Sequence, residues 1–403
     1  MIFMPFLKTY HQKILDYSLA LLVFFVPLSF AFPNILLVPA GLMFVYKTFV
    51  DNEIKFSLHW LLCMLLLFLV LILALIQGDF INELGDQKKF ITGLLVFLLI
   101  KEVSKLKLVE FSFVFGVIVA IVNNLIYIVY KYFQGVSLDL SYGSSVLELL
   151  LFDRPYLAFF TVLANFLIFK WIRQGKFSWY YVLAILSAGF CFFITAKLGI
   201  ILHVLLIIHH AYRSIKKIKL KHILLLLFIS LSVGFVLLKN PYLKERLRIQ
   251  SDFEATYKKY KAYEIRFIVW DCSLETIKDN WLFGVQSHQN LIPIMTDCYV
   301  SKIEPGRTKK IMYYKTEKFN THNQFLDIWL IAGIPGLLLL VSLFVIPFFR
   351  QDEYKDMRML LILFLLFMLV ENIFQRQLGC FLFGIFFGLY APVNHKISWS
   401  KQN

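Results

Sequence analysis

Residues Leu61–Ile76 read LLCMLLLFLVLILALI, a run without a charge, a glycine or a proline. With a few flanking residues it reaches the roughly 17–25 residues that carry a helix across a bilayer core. Leu108–Tyr130 and Ile334–Phe349 are also apolar for long enough, though they include Glu110 in the first and Pro335 in the second. None of these runs alternates with the period of two that a barrel strand would show, and lipid leaves only helices or closed barrels as spanning structures. The expected fold class is therefore all-α: a polytopic membrane protein of about twelve transmembrane helices with one large helical loop outside the cytoplasm.

Composition agrees. The chain has 403 residues, of which 59% are hydrophobic and only 17% charged, and it carries 43 phenylalanines. A soluble protein of this length is far more polar. Spans are expected near 14–31, 34–46, 58–76, 89–100, 108–130, 155–170, 177–195, 198–211, 222–238, 323–348, 359–374 and 379–392. Phe90–Ile100 is short for a bilayer and needs flanking residues such as Gln87 and Val103. Ile14–Phe30 is followed at once by further spans, so it reads as a first transmembrane helix and not as a cleaved signal peptide.

The net charge of +15 could suggest nucleic acid, so its distribution matters. With the N-terminus inside, twenty basic residues fall in the cytoplasmic clusters, among them Lys101/Lys105/Lys107 and Arg213 through Lys221. The opposite short loops hold six: Lys88, Lys89, Lys131, Arg154, Lys197 and Arg376. This is the bias that orients membrane proteins; membrane lipids are the implied surroundings and no nucleic acid is expected. It divides the chain into N-terminal transmembrane helices (1–238), a large outer loop (239–322) and C-terminal transmembrane helices (323–403). Within the loop, Tyr242–Glu264 is expected to form a surface helix and Glu264–Asp279 an amphipathic one, with Arg266, Trp270 and Ile277 on neighbouring turns. Ser301–Lys318, basic and containing Pro305–Gly306, reads as a mobile excursion.

Of five cysteines, Cys63, Cys191 and Cys380 lie in spans and are expected in the core. Cys272 and Cys298 lie in the outer loop. Two separate thiols are the expectation there, with a disulfide as the alternative. No cysteine or histidine spacing suggests zinc.

The stretch richest in chemistry is Asn320–Gly336, NTHNQFLDIWLIAGIPG. Thr321 and Gln324 have capping-box spacing, which predicts a helix start with His322 in its first turn. The positive end of the helix dipole disfavours a protonated imidazole there, leaving a ring able to accept a proton. Gly333 and Gly336 allow close packing, and Pro335 adds a kink.

His322-Asn323, nine residues, then Gly333-x-x-Gly336 resembles the signature of the bacterial O-antigen ligase family. Arg266-x-x-x-Trp270, Ile277 and Trp281-Leu-Phe-Gly284 resemble the start of the outer-loop domain shared by O-antigen ligases and polymerases. The resemblance implies a metal-independent, GT-C-like glycosyltransferase without cofactors, in the bacterial inner membrane with its active site facing the periplasm. Its donor would be an undecaprenyl-pyrophosphate-linked glycan and its acceptor a lipid A-core hydroxyl or a growing glycan. It implies that His322 activates the acceptor and that Arg266 holds the pyrophosphate, with Asn323 also binding substrate. Thr195-Ala-Lys197-Leu-Gly199 stands where the family usually has an arginine in an outer turn; lysine keeps the charge but loses the bidentate fork. Arg154-Pro155-Tyr156 resembles a further substrate-binding element.

Bland readings stand beside these: Arg266 could pair with Glu264 or Asp271, and Lys197 could snorkel to the interface. The first outer turn, Ala31–Asn34, has no carboxylate, and no Asp-x-Asp occurs on the outer side, so no metal is expected. Glu83 and Asp86 read as solvated loop residues, and Glu371 beside Arg376 as a structural ion partner. The rival within the family is a polymerase. A transporter or flippase would need ionisable residues within its spans, which are nearly charge-free here.

The topology has a direct test. A cysteine placed at position 307 should react with a membrane-impermeant thiol reagent in intact spheroplasts. Labelling only after lysis would place the loop inside and remove the basis for an outer-face site.

Overall fold

The computed structural model describes residues 3–136, 148–175, 179–214, 265–303, 308–317, 320–350, 354 and 357–398. Within them the chain is almost wholly helical: α1 (Phe3–Phe25), α2 (Ala31–Asp51), α3 (Leu58–Ile76), α4 (Phe80–Lys101), α5 (Leu106–Phe133), α6 (Arg154–Arg173), α7 (Tyr180–Phe193) and α8 (Lys197–Ser214). There follow α9 (Ile265–Asn280), α10 (His288–Ser301), α11 (Thr308–Glu317), α12 (Gln324–Phe349), α13 (Arg358–Met368) and α14 (Gln377–Tyr390), with a 3-10 turn at Ile373–Gln375.

Five helices, α2, α3, α5, α6 and α12, are long and apolar enough to cross a membrane, while α7, α13 and α14 are apolar but shorter. The ranges expected near 14–31, 89–100 and 198–211 overlap α1, α4 and α8, which are helices but not among those long and apolar enough to cross. The span expected near 222–238 and the helix expected over Tyr242–Glu264 lie outside the described residues.

Three expectations need correction. The fold is not purely helical: Glu53–Phe56 (β1) pairs antiparallel with His395–Ser398 (β2). Asn52, in the left-handed region at φ 50°, ends α2 and turns the chain into β1. Four residues are too few for a period-two signal, and the partner lies at the far end of the sequence. The excursion expected over Ser301–Lys318 contains a helix, α11, although Pro305 and Gly306 lie outside the described residues. Finally, α4 begins at Phe80, so Glu83 and Asp86 lie in a helix and not in a loop.

The most consequential local structure is a break in α12. Gly333 has φ 60° and ψ −160°, a conformation open to glycine and costly for other residues. Pro335 has no N–H to offer Ile331 O, and Ile334 N turns away from Leu330 O. The residues after α9 repair both losses. Val285 N donates to Leu330 O (2.7 Å), Gln286 N to Ile331 O (3.0 Å), and Ile334 N to Trp281 O (3.0 Å). Trp329 Nε1 donates to the same Trp281 carbonyl at 3.1 Å. A buried polar group left unpaired costs roughly 1–3 kcal/mol, so a break without these partners would be heavily penalised.

Packing divides the chain into two units. The first comprises Met1–Leu22, Phe30–Leu106 and Lys261–Asn403, and the second Val23–Ser29 and Lys107–Tyr260. In the first, α14 lies against α4: a Cβ at Gly384 would stand 2.4 Å from Gly93 O. Phe383 stacks on Phe387 at 4.0 Å, and Phe90 meets Phe374 at 4.3 Å. In the second, the buried Glu110 of α5 accepts from Lys170 Nζ (2.7 Å) and Trp171 Nε1 (2.8 Å) of α6. Ser187 of α7 donates to Asn165 of α6 at 2.6 Å.

Gly333→Ala tests the break. Its Cβ would lie 2.1 Å from Leu282 O, and the backbone strain alone is about 1–3 kcal/mol. The variant should melt several degrees below the parent protein in a detergent-based thermal assay. Gly41→Ala, where nothing lies within 4 Å, should not. Equal midpoints for the two variants would show that the break does not depend on glycine.

Candidate functional site

The N-terminal end of α12 is built differently from the expected capping box. Its N-cap is Asn323, whose Oδ1 accepts from Phe325 N (3.0 Å) and Leu326 N (3.1 Å). Asparagine caps at least as well as threonine, and here it takes the position. Gln324, expected to reach back to the cap, instead accepts from Phe374 N at 2.8 Å through Oε1. His322 therefore precedes the cap and is not in the first turn. It sits in the left-handed region at φ 47°.

Two segments are stitched together around it. Asn372 Nδ2 donates to Thr321 Oγ1 (3.0 Å), and Asn320 Nδ2 donates to Gln375 Oε1 (3.3 Å). From α9, Trp270 Nε1 donates to Thr321 O at 2.9 Å. One turn earlier on that helix, Arg266 Nη2 meets the buried carboxylate of Glu371 at 3.4 Å. Of the two expected acids, Asp271 pairs with Lys302 at 2.7 Å, and Glu264 lies outside the described residues. At this distance, with Arg266 about 40% exposed, such a pair is worth at most about 1 kcal/mol. It orients the guanidinium without consuming it, and Arg266 Nε is buried with no hydrogen-bond partner among the described residues.

His322 Nδ1 is likewise buried without a partner among the described residues. Burial, then the positive charges of Arg266 and Arg376, push its pKa down to about 4. The ring is neutral at physiological pH. The cause is desolvation and two arginines, where the sequence pointed to the helix dipole.

Behind this mouth lies a buried polar network that the sequence did not reveal. Glu83, fully buried in α4, faces His288, the first residue of α10, with Oε1 2.8 Å from Nδ1. Gln87 Nε2 donates to the same Glu83 oxygen at 2.8 Å. The amide of Gln375 lies 2.9 Å from His288 Nε2 and 2.8 Å from Asp327 Oδ2. Burial alone would lower the pKa of His288. The hydrogen bond to Glu83 and the charges of Asp327, Glu83 and Asp86 override it and raise the value to about 9. Reading Glu83 as a solvated loop residue was therefore wrong, whereas Asp86 is exposed. The available signal was Ser287, which caps α10 by accepting from Asn290 N at 3.2 Å.

Glu83, Asp86 and His288 bring possible metal-ligand atoms within 4.8 Å of one another. A cation there would have to displace the proton of His288. A second such group, Cys272, Glu275 and Cys298, offers no thiolate, because the two cysteines form a disulfide joining α9 to α10. The expectation of separate thiols is corrected accordingly. Cys63, Cys191 and Cys380 are free and buried, as expected.

Of the residues singled out by sequence, His322, Arg266 and Asn323 belong to the first unit, with Asn323 Oδ1 engaged by its cap. Arg154 and Lys197 belong to the second. Arg154 is buried at the start of α6, and Lys197 is half-buried at the start of α8 after a turn in which Thr195 has φ 53°.

Residues 182–341 match a sequence-family model described as O-Antigen ligase. The match runs from α7 through α12 and includes His322, Arg266, Lys197 and the break at Gly333. No curated protein matches the chain.

The buried network makes a quantitative prediction. Removing His288 leaves Glu83 uncompensated, so His288→Ala should cost about 3–5 kcal/mol of stability. Glu83→Gln with His288→Gln should cost less, because no charge remains. The folded protein holds the His288 proton more tightly than the unfolded chain, with a pKa of about 9 against 6.5. That stabilisation is complete below pH 6.5 and lost as the pH rises through about 9. Thermal midpoints measured across this range should fall in the parent protein and stay flatter in the double variant. Parallel curves would show that His288 carries no such charge.

Proposed function

We propose, from the chain's membership of the O-antigen ligase superfamily, that it moves a glycan from an undecaprenyl-pyrophosphate carrier to a hydroxyl acceptor at the periplasmic face of the bacterial inner membrane. The family and the apolar helices make the chain a multi-pass membrane protein of a glycan-transferring family. The observation that carries the finer reading is the placement of a neutral, half-buried His322 in the field of Arg266, with unpaired Nδ1 and Nε atoms on the two residues. Displacing a pyrophosphate carrier requires a base for the acceptor proton and cations for the charge that develops on the leaving group. The disulfide between α9 and α10 supports an outer, oxidising location for this loop.

A histidine with a pKa of about 4 is a weak base until the donor arrives. An anionic pyrophosphate beside Arg266 offsets the positive charge that disfavours the imidazolium, so the donor strengthens the base that activates the acceptor. His322 then takes the acceptor hydroxyl proton as the oxygen bonds to the anomeric carbon and the carrier pyrophosphate leaves. Arg266, steadied by Glu371, stabilises the leaving group. The family resemblance further implies that Lys197 binds phosphate and that Arg154 and Asn323 bind substrate. The reading needs no metal. A lipid A-core acceptor is favoured by the spacing from His322-Asn323 to Gly333; the alternative is extension of a glycan on the carrier.

The test is complementation of a deletion strain with His322→Gln, which keeps hydrogen-bonding capacity but cannot take up the proton. Loss of a positioned base costs on the order of 10²–10⁴ in rate. The strain should accumulate long polysaccharide on its polyprenyl carrier, with bare lipid A-core and normal amounts of the protein. Single repeat units on the carrier would show polymerase activity instead. Near-normal transfer would remove His322 from the role of base.

A further inference from the structure

We propose that Arg376, which the sequence placed only as a neighbour of Glu371, is a second pyrophosphate-binding residue acting with Arg266 beside His322. The proposal rests on the glycan-transfer reading above and names a residue of that same site.

Its position is fixed by its neighbours. The residue immediately before it, Gln375, accepts from Asn320 two positions ahead of His322, and donates to both oxygens of Asp327 at 2.8 and 2.9 Å. Three positions further back, Asn372 holds Thr321, and before it Glu371 holds Arg266. The segment 371–376 is thus fastened on one side to the segment that carries His322 and on the other to the helix that carries Arg266. Arg376 also stands at the N-cap of α14, where its side chain makes no capping bond. Lys89 Nζ, donating to Gln375 O at 3.0 Å, adds a further positive charge next to it.

The buried acids nearby are already committed: Glu371 is paired with Arg266, Asp327 with Gln375, and Glu83 with His288, while Asp86 is exposed on α4. Arg376 is exposed and forms no salt bridge among the described residues. A guanidinium in such a place presents a planar fork suited to two phosphate oxygens. Its charge reaches His322 too, since it disfavours the protonated ring as Arg266 does. One anion can therefore relieve both repulsions at once. This is a use for two arginines around one histidine that a structural role does not supply.

The experiment uses the purified full-length protein in lipid nanodiscs, with undecaprenyl pyrophosphate and undecaprenyl monophosphate as probes. Charge-assisted hydrogen bonds of this kind predict that Arg376→Gln weakens pyrophosphate binding about tenfold or more. The variant should lose much less affinity for the monophosphate, because a single phosphate can rest on Arg266 alone. Arg376→Lys should fall between, keeping charge without the fork, and Lys278→Gln on the exposed side of α9 should bind as the parent does. Unchanged pyrophosphate affinity in Arg376→Gln would overturn the proposal. So would equal losses for both lipids, which is the mark of a disturbed fold. Absence of pyrophosphate binding by the parent protein would overturn the glycan-transfer reading along with it.

Discussion

The site depends on an exchange of backbone hydrogen bonds between the chain leaving α9 and the interrupted helix α12. Gly333 and Pro335 break the helical ladder, and Trp281, Val285 and Gln286 supply the missing partners. Backbone polar groups at membrane depth must be satisfied, so neither half of this arrangement is stable without the other. Two glycines are locked into it. A Cβ on Gly284 would stand 2.5 Å from Leu330 O, and one on Gly333 would meet Leu282 O. The consequence reaches the chemistry: fixing the end of α9 against α12 fixes Arg266, near one end of α9, relative to His322 at the mouth of α12.

A second layer of order is electrostatic. The buried triad of Glu83, His288 and Asp327 joins α4, α10 and α12 through one positive ring and its anionic neighbours, with Gln375 bridging to the last outer turn. Buried charges are expensive unless paired, and such a network therefore specifies one arrangement more than it adds to stability. The two histidines near the N-terminal end of α12 are set to opposite states by their surroundings. His288, among carboxylates, holds its proton at neutral pH, while His322, among arginines, does not. Divergent states in neighbouring titratable groups are a recurring mark of functional sites.

The parts of this architecture that were legible in the sequence were those written in local patterns. Leu58–Ile76 matches its helix at both ends because a continuous apolar run has only one reading. Arg266, Trp270 and Ile277 were placed on one helix by their spacing, and α9 bears this out. What escaped was set by distant partners. The choice of Asn323 over Thr321 as cap follows from Asn372 and Trp270 holding Thr321 from other parts of the chain. Glu83 looked solvated because nothing near it in sequence announces His288, and β1 because its partner strand lies at the far terminus. Gly333 was noticed for packing, but its actual use, at positive φ opposite the Trp281–Gly284 turn, required the two motifs to be seen in contact.

The central claim is that the space between His322 and Arg266 receives the pyrophosphate of a lipid-linked donor. An electron cryo-microscopy structure of the full-length protein in nanodiscs with undecaprenyl pyrophosphate would address it most directly. The account predicts phosphate density within hydrogen-bonding distance of the Arg266 guanidinium and beside the His322 ring, with Glu371 still behind the arginine. Pyrophosphate density seated away from both residues, with His322 and Arg266 left as they stand here, would contradict it.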